Sequence, residues 1–281
     1  MAKKKLSRRI IALIVCLSII GAILLTCLGL QIAFTVADGI KCWRPDYEKL
    51  SEAEMRQLIE NEDYDGLYKQ TGLTEIGIKR ALEKGENGIE RILQIQDDFF
   101  EEHKVENDFF APFVCTDYIE KQVTNIYLED GDILVTSSTH LSGWRMGHAG
   151  LVTNASFSQV LQANAIGSSS SMGKVEDFTT RVNFMILSPK KADKDTKEKV
   201  AKSAAKNLLG KTYDPTAGVF SRKKKCNKTQ CAHIVWYAYK EYAGIDIDGN
   251  GGPIVTPQNI ANSPEMELVQ VFGFDINKLW R

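Results

Sequence analysis

Residues 131–152 read GDILVTSSTHLSGWRMGHAGLV, and this stretch sets two short runs of aliphatic residues on either side of a polar loop. The runs are GDILVT at 131–136 and HAGLVT at 148–153. Short apolar runs rich in β-branched residues and bounded by Gly, Asp and Ser are typical of strands. QVLQA at 159–163 and VNFMIL at 182–187 repeat the pattern. The sequence therefore predicts a sheet whose strands begin after Tyr127.

Helices are predicted on the C-terminal side of these strands. KDTKEKVAKSAAKNLLG at 194–210 places Val200, Ala204 and Leu208 on one side and ends in glycine. A second, more apolar helix is predicted to begin at Cys231, and MELVQVF at 266–272 is predicted to be the last strand. The serine-rich GSSSSMG at 167–173 is predicted to be a flexible loop. A sheet followed by helices in this order indicates an α+β fold.

The N-terminal end has the pattern of a membrane anchor. Five of the 35 basic residues lie within residues 1–9, and residues 10–37 carry no charge. A bilayer core needs about 20 apolar residues in a helix, and basic flanks stay in the cytoplasm. The sequence predicts a cytoplasmic basic end at 1–9, a transmembrane anchor at 10–37 and a single-pass protein of the cell membrane whose C-terminal domain is extracytoplasmic. The alternative is a cleaved secretory signal.

The rest of the chain is acidic, because the other 30 basic residues face 36 acidic ones. This balance excludes a nucleic-acid-binding protein. Residues 46–110 are predicted to form an acidic helical segment, in which Ser51 and Glu54 have the spacing of a capping box. Residues 120–281 are predicted to form the functional domain.

Two cysteines, Cys226 and Cys231, are candidate nucleophiles. Cys231 is predicted at a helix start, where the helix dipole favours a thiolate, whereas Cys226 lies in the basic loop RKKKCNK. His233 is excluded as the base because residues two apart point about 200° apart around a helix. His148 opens a strand beside small residues, whereas His140 lies in a loop. A buried structural role for Cys231 and for His148 stays open on pattern alone, and the cysteine and histidine spacing indicates no zinc site.

These segments in this order resemble the permuted branch of the NlpC-like cysteine peptidase superfamily, the YiiX/YebB-like hydrolases. The resemblance covers roughly residues 127–275 and rests on GDILVTSSTHLSGWRMGHAGLV, VLQA, YDP and TQCAHIVWYAY. It implies a circularly permuted papain-like domain with an antiparallel sheet packed against helices. The histidine strand comes first in this branch, and the cysteine helix comes last.

The resemblance also implies the roles of four residues. Cys231 is the expected nucleophile, His148 the base and Gln162 the third, orienting position, where this branch often has an acid. Tyr213 resembles the tyrosine that borders the site, and it is expected to help stabilise the oxyanion.

The function expected from these residues is a membrane-anchored cysteine hydrolase. Its expected substrate is an amide, either a cell-wall (peptidoglycan) peptide or an acyl amide, and neither a metal nor another cofactor is expected. Two alternatives use the same domain. One is an acyltransferase or a lipid amidase or esterase, and the other is a non-catalytic module that binds the cell envelope.

Overall fold

The computed structural model describes residues 7–37, 41–111, 114–141 and 144–280. Its first helix, α1, covers Arg8–Ala37, and Arg8–Leu30 is long and apolar enough to cross a membrane. Signal sequences share this length and composition. The helix is consistent with the single-pass anchor that the sequence predicts.

Four helices follow and form a core of their own. Met55, Leu67, Leu73, Ile78 and Ile92 are fully buried within it. The capping box at Ser51 and Glu54 is present, with each side chain accepting from the other residue's backbone N–H. The helices are α2 (Glu52–Glu60), α3 (Tyr64–Thr71), α4 (Glu75–Leu82) and α5 (Glu86–Phe100).

The helical part does not extend to residue 110 as predicted. The chain turns after Phe100 into strand β1 (Val105–Ala111), so the helical prediction is wrong for residues 105–110. β1 pairs with β2 in a sheet of order β1-β2-β4-β5 that the sequence analysis missed. Its strands carry charged and polar residues, and this composition hid them from a search for aliphatic runs. The other strands are β2 (Val114–Ile119), β4 (Thr139–Leu141) and β5 (Trp144–Arg145).

The main sheet has six antiparallel strands in the order β14-β9-β3-β6-β7-β8. Its predicted strands are present. The loop prediction is wrong for residues 171–173, because they belong to edge strand β8 (Ser171–Lys174), which pairs with β7. Serine and glycine have low strand propensity, so the pairing with β7 determines this strand. The strands are β3 (Ile133–Thr136), β6 (His148–Asn154), β7 (Gln159–Gln162), β8 (Ser171–Lys174), β9 (Phe184–Pro189) and β14 (Met266–Phe272).

Both faces of the main sheet are covered. Ile133, Val135 and Leu151 pack on one side with helix α8, whereas Leu134 and Val152 pack on the other side with Phe178. Successive strand residues point to opposite faces, so a sheet buried on both sides has continuous apolar runs such as ILV. The remaining helices are α6 (Glu176–Thr179), α7 (Lys194–Asn207), α8 (Cys231–Ala243) and α9 (Pro257–Ala261).

Short parallel strand pairs connect α7 to α8. They are β10 (Thr212–Tyr213) with β13 (Lys228–Thr229), and β11 (Ala217–Gly218) with β12 (Ser221–Arg222). α7 and α8 pack against each other and against β6. The architecture is therefore a mixed α+β fold with antiparallel sheets and one N-terminal apolar helix, and the start of α8 lies close to the start of β6.

A buried ion cluster joins the helical segment to the sheet. Asp132, which has no solvent exposure, accepts hydrogen bonds from Arg80 of α4 and from Lys197 of α7. The Arg80 bond is 2.6 Å long and the Lys197 bond 3.2 Å. Two cations on one buried carboxylate fix the start of β3 between two helices.

Candidate active site

Cys231 is the first residue of helix α8, as the sequence predicts. Gln230 caps the helix, because its side-chain Oε1 accepts a 2.8 Å hydrogen bond from the Ala232 N–H. The Cys231 thiol donates to the same oxygen at 3.4 Å. The side chain is 8% exposed, so the sulfur is buried but lies close to the surface.

The surroundings of Cys231 have opposing effects on its thiol. Burial raises the pKa of the thiol to about 11. The backbone N–H groups of Ala149, Ala232 and Cys231 and the charge of Arg181 oppose this shift, because they all favour the thiolate. The expected stabilisation by the helix start is therefore present, but desolvation outweighs it. The thiol is protonated at neutral pH.

His148 opens strand β6, also as predicted, and its imidazole is 7% exposed. The ring stacks on Phe178 with centroids 5.2 Å apart. Its Nε2 lies 2.8 Å from Oε1 of Gln162. Since an amide oxygen only accepts, Nε2 carries the proton and Nδ1 is the basic nitrogen.

Gly147 positions the start of this strand. Its φ of +70° suits glycine, and a Cβ there would lie 2.5 Å from the Thr136 carbonyl oxygen and 2.4 Å from the Trp280 ring. The small residue before His148 thus makes room for a neighbouring backbone, as the sequence analysis expected.

Burial also determines the protonation state of His148. It lowers the pKa of the imidazole to about 4, helped by the positive charge of Arg181 and opposed by Gln162, Asp177 and Asn164. Cys231 and His148 are therefore both neutral at pH 7. A neutral imidazole is the form that acts as a general base.

The start of α8 lies beside the start of β6. The N–H of Ala149, the residue after His148, points at the Cys231 sulfur, and Arg181 acts electrostatically on both side chains. Ala149 faces α8, whereas the His148 ring packs on Phe178. In this state the thiol donates to Gln230 instead of the imidazole. Catalytic hydrogen bonds are often long in free enzymes and shorten when substrate binds.

Gln162 has a second partner that the sequence analysis missed. Its Nε2 donates to Oδ2 of Asp177 at 2.5 Å, and the Lys174 N–H donates to the same oxygen at 3.0 Å. A Cβ on Gly173 would lie 1.8 Å from the Gln162 amide nitrogen, so only glycine leaves room for this contact. Because the carboxylate holds the amide N–H, the amide oxygen must face His148. Asp177 lies 15 residues after Gln162 on another element, and no local motif marks it.

Tyr213 and Arg181 border the same site. The pKa of Tyr213 is raised by burial and by its proximity to Cys231. Arg181 donates from Nε to the Asp177 carbonyl at 2.8 Å and from Nη1 to Thr139 Oγ1 at 2.9 Å. These bonds fix a positive charge beside Cys231. The sequence analysis found Tyr213 by resemblance and did not identify Arg181.

His233 and Cys226 have local roles. His233 Nδ1 lies 2.9 Å from Thr229 Oγ1, and its Nε2 lies 2.8 Å from the Lys223 carbonyl oxygen. Both ring nitrogens of His233 therefore have hydrogen-bond partners. Cys226 lies in the loop between β12 and β13, as the sequence predicts, but its side chain is only 6% exposed. Burial raises its pKa to about 11, as it does for Cys231. The two thiols therefore differ in their neighbours and not in their acidity.

A second cysteine and histidine pair lies in the smaller sheet. The potential ligand atoms of Cys115, Asp117 and His140 all lie within 4.8 Å of one another, and all three side chains are fully buried. His140 Nε2 is 3.1 Å from Asp117 Oδ1. This arrangement resembles a catalytic triad in composition and is compatible with a cysteine hydrolase. The sequence analysis treated His140 as a loop residue, and it missed the cluster because β2 and β4 were not predicted.

The comparisons with known proteins give one weak similarity. No family model and no curated protein matches the chain. Among solved structures, the crystal structure of metalloprotein YiiX from Escherichia coli O157:H7 aligns with a TM-score of 0.40 and 16% identity. The alignment covers 50% of this chain and 96% of that one.

The two pKa shifts predict how the reactivity of Cys231 depends on pH. With a thiol pKa of about 11, alkylation of Cys231 by iodoacetamide should accelerate about tenfold per pH unit from pH 7 to pH 10, because the thiolate reacts. Peptide mass spectrometry of the full chain reports the rate at each cysteine. A rate that stays constant from pH 6 to pH 9 would contradict the neutral resting pair, because a thiolate–imidazolium pair gives such a plateau.

Proposed function

We propose that the protein is a cysteine hydrolase that cleaves amide bonds, with Cys231 as the nucleophile and His148 as the base. One observation carries this proposal: three backbone N–H groups surround a thiol at a helix start, and one of them belongs to Ala149, the residue after a histidine whose Nε2 is held by an amide. A nucleophile, an oriented base and N–H donors are the parts that acyl transfer requires.

The reaction uses these groups in order. The Nδ1 atom of His148 removes the thiol proton as the Cys231 sulfur attacks the substrate carbonyl, and the resulting imidazolium protonates the leaving amine. Water, activated by the same imidazole, then hydrolyses the thioester and restores the thiol. Gln162 keeps the proton on Nε2, so that Nδ1 faces the reaction.

The negative charge on the carbonyl oxygen needs donors close to Cys231. The backbone N–H of Cys231 lies at the helix start, where it has no partner in the preceding turn of the helix. The Tyr213 hydroxyl borders the same sulfur. Both groups are proposed to stabilise the oxyanion.

Cys231 is favoured over Cys115 as the nucleophile because of the position of its backbone N–H. Cys115 lies in the middle of β2, paired with Phe109 on one side and His140 on the other, and it is fully buried. A residue inside a sheet has its N–H committed to a neighbouring strand, so it cannot donate to an oxyanion. Cys231 combines slight exposure with its own backbone N–H at a helix start, where no preceding turn of helix accepts it.

The substrate and the location of the enzyme follow from the proposed architecture. Residues 120–281 are proposed to form a permuted papain-like domain outside the membrane, held close to it by residues 10–37. Peptidoglycan peptides and acyl amides are the proposed substrate classes. The α1 helix supports a membrane location.

Replacing the proposed base tests the proposal. His148→Ala should lower the rate of acylation by p-nitrophenyl acetate about 10²–10⁴-fold, because that is the usual contribution of a general base. His103→Gln is the control, since neither nitrogen of this buried ring has a hydrogen-bond partner within the described part of the chain. It should stay within a few-fold of wild type. Circular dichroism checks that both variants are folded.

The same proteins, incubated with peptidoglycan fragments and with acyl amides, identify the substrate class by mass spectrometry of the products. Transfer of the acyl group to an added amine would indicate an acyltransferase. The hydrolase assignment at Cys231 would be contradicted if His140→Ala is inactive while His148→Ala remains active. That result would move the reaction to the second cysteine.

Asp177 is proposed as a positioning residue that acts through Gln162. Its carboxylate accepts from the Gln162 amide, whose oxygen accepts from His148, so the negative charge polarises the amide toward the imidazole. This relay gives an amide at position 162 part of the effect that a carboxylate would have. A carboxylate introduced by Gln162→Glu would lie against Asp177.

An exchange of the two side chains tests the relay. Gln162→Glu should lower the rate of acylation by p-nitrophenyl acetate, because it places two carboxylates in contact. Asp177→Asn should lower this rate roughly tenfold, which is the effect of a change of about one unit in the pKa of the imidazole. The double variant Gln162→Glu/Asp177→Asn should recover to within a few-fold of wild type. The acidic limb of the pH–rate profile of this double variant should move to higher pH, because a carboxylate that accepts from Nε2 raises the pKa of His148.

A structural role for Asp177 would give a different result. In that case, the losses in acylation rate of the two single variants would add in the double variant, and the acidic limb of its pH–rate profile would not move. Additive losses would therefore contradict the relay without affecting the assignment of Cys231 and His148.

A further inference from the structure

The cluster in the smaller sheet arises from strand register. Cys115 of β2 lies directly opposite His140 of β4 in the antiparallel pair. Asp117 is two residues after Cys115 on the same strand, so both side chains point to the same face. The register thus brings a sulfur, a nitrogen and an oxygen ligand together in a fully buried place.

We propose that Cys115, Asp117 and His140 bind a zinc ion. Thiolate, imidazole and carboxylate are the three ligand types of zinc sites, where three protein ligands leave a fourth position for water. The ion would take the place of the proton between His140 Nε2 and Asp117 Oδ1. These atoms are 3.1 Å apart, which with bonds of about 2.0 Å gives an angle of about 100° at zinc, close to tetrahedral.

The sulfur completes this geometry after a small movement. It lies at most 4.8 Å from the other two ligand atoms. A zinc–sulfur bond of about 2.3 Å in a tetrahedral site places sulfur about 3.5 Å from nitrogen or oxygen. A movement of the Cys115 sulfur by about 1.3 Å or less satisfies this requirement. Binding releases the thiol proton, and the imidazole coordinates as its Nδ1–H tautomer.

Neighbouring donors hold the carboxylate ligand in place. Arg145 donates to Asp117 Oδ2 at 2.8 Å, and Asn107 donates to Oδ1 at 3.0 Å. Hydrogen bonds of this kind orient the ligands of metal sites. The thiolate and the carboxylate neutralise the charge of zinc, and the remaining positive charge on Arg145 is partly solvated, because its side chain is 23% exposed.

The zinc ion would join β2 to β4 and thereby fix Thr139, the residue next to His140. Thr139 accepts the hydrogen bond from Arg181, which lies beside Cys231. The proposed ion would therefore link the two strands one residue away from a contact of the candidate active site. The proposal does not rest on the hydrolase function, because metal content is measured without any substrate.

The test is the metal content of the full chain, purified in detergent without chelators and through a tag that contains no histidine. Inductively coupled plasma mass spectrometry should find about one zinc per wild-type chain. Cys115→Ser and His140→Gln should each lower the zinc content at least tenfold. Cys226→Ser is the matched control, a buried cysteine outside the cluster, and it should retain the metal.

Cobalt substitution keeps the test valid if a variant folds poorly. Wild-type protein reconstituted with Co²⁺ should show thiolate-to-cobalt charge-transfer absorption, and Cys226→Ser should show the same band, whereas Cys115→Ser should lack it. The proposal is wrong if wild-type protein contains no zinc and takes up none from added zinc chloride. It is equally wrong if Cys115→Ser and His140→Gln bind as much zinc as Cys226→Ser.

Discussion

The contact between the Cys231 sulfur and the backbone N–H of Ala149 locates the start of α8 beside the start of β6, and the candidate active site depends on this arrangement. The helix brings the thiol and its own N–H groups, and the strand brings His148. Neither element makes a site alone, because a helix-start cysteine without a base is a buried thiol, and a strand histidine without a nucleophile is a core residue. The packing of α8 on the sheet, stabilised by Leu151 and its apolar neighbours, therefore places the helix start beside the strand that carries His148.

Burial determines how this chemistry has to work. It raises the pKa of Cys231 to about 11 and lowers that of His148 to about 4, so the free protein holds two neutral groups. In the proposed reaction, proton transfer then accompanies attack on the substrate instead of preceding it. A substrate that displaces the Gln230 contact would bring the thiol proton to Nδ1, and the charge that develops would meet the N–H groups, the polarised amide and Arg181.

Much of the main sheet could be predicted from the sequence, because a sheet buried on both faces has apolar runs that are easy to see, such as ILV at 133–135. The helix start at Cys231 and the strand start at His148 followed from the same kind of local pattern. The smaller sheet was missed because its strands carry polar residues, and β8 was missed because serine and glycine hid an edge strand. Asp177, Arg181 and the cluster around Cys115 depend on contacts between distant segments, so residue spacing contains no signal for them.

The most direct test of the central claim, that Cys231 is the nucleophile, is to locate the acyl group on the enzyme. The full chain would be mixed with p-nitrophenyl acetate, stopped in acid within seconds and mapped by peptide mass spectrometry. The account predicts an acetyl group on Cys231 that disappears as hydrolysis proceeds and does not accumulate in Cys231→Ser. An acetyl group on Cys115, or rapid turnover in Cys231→Ser, would contradict it.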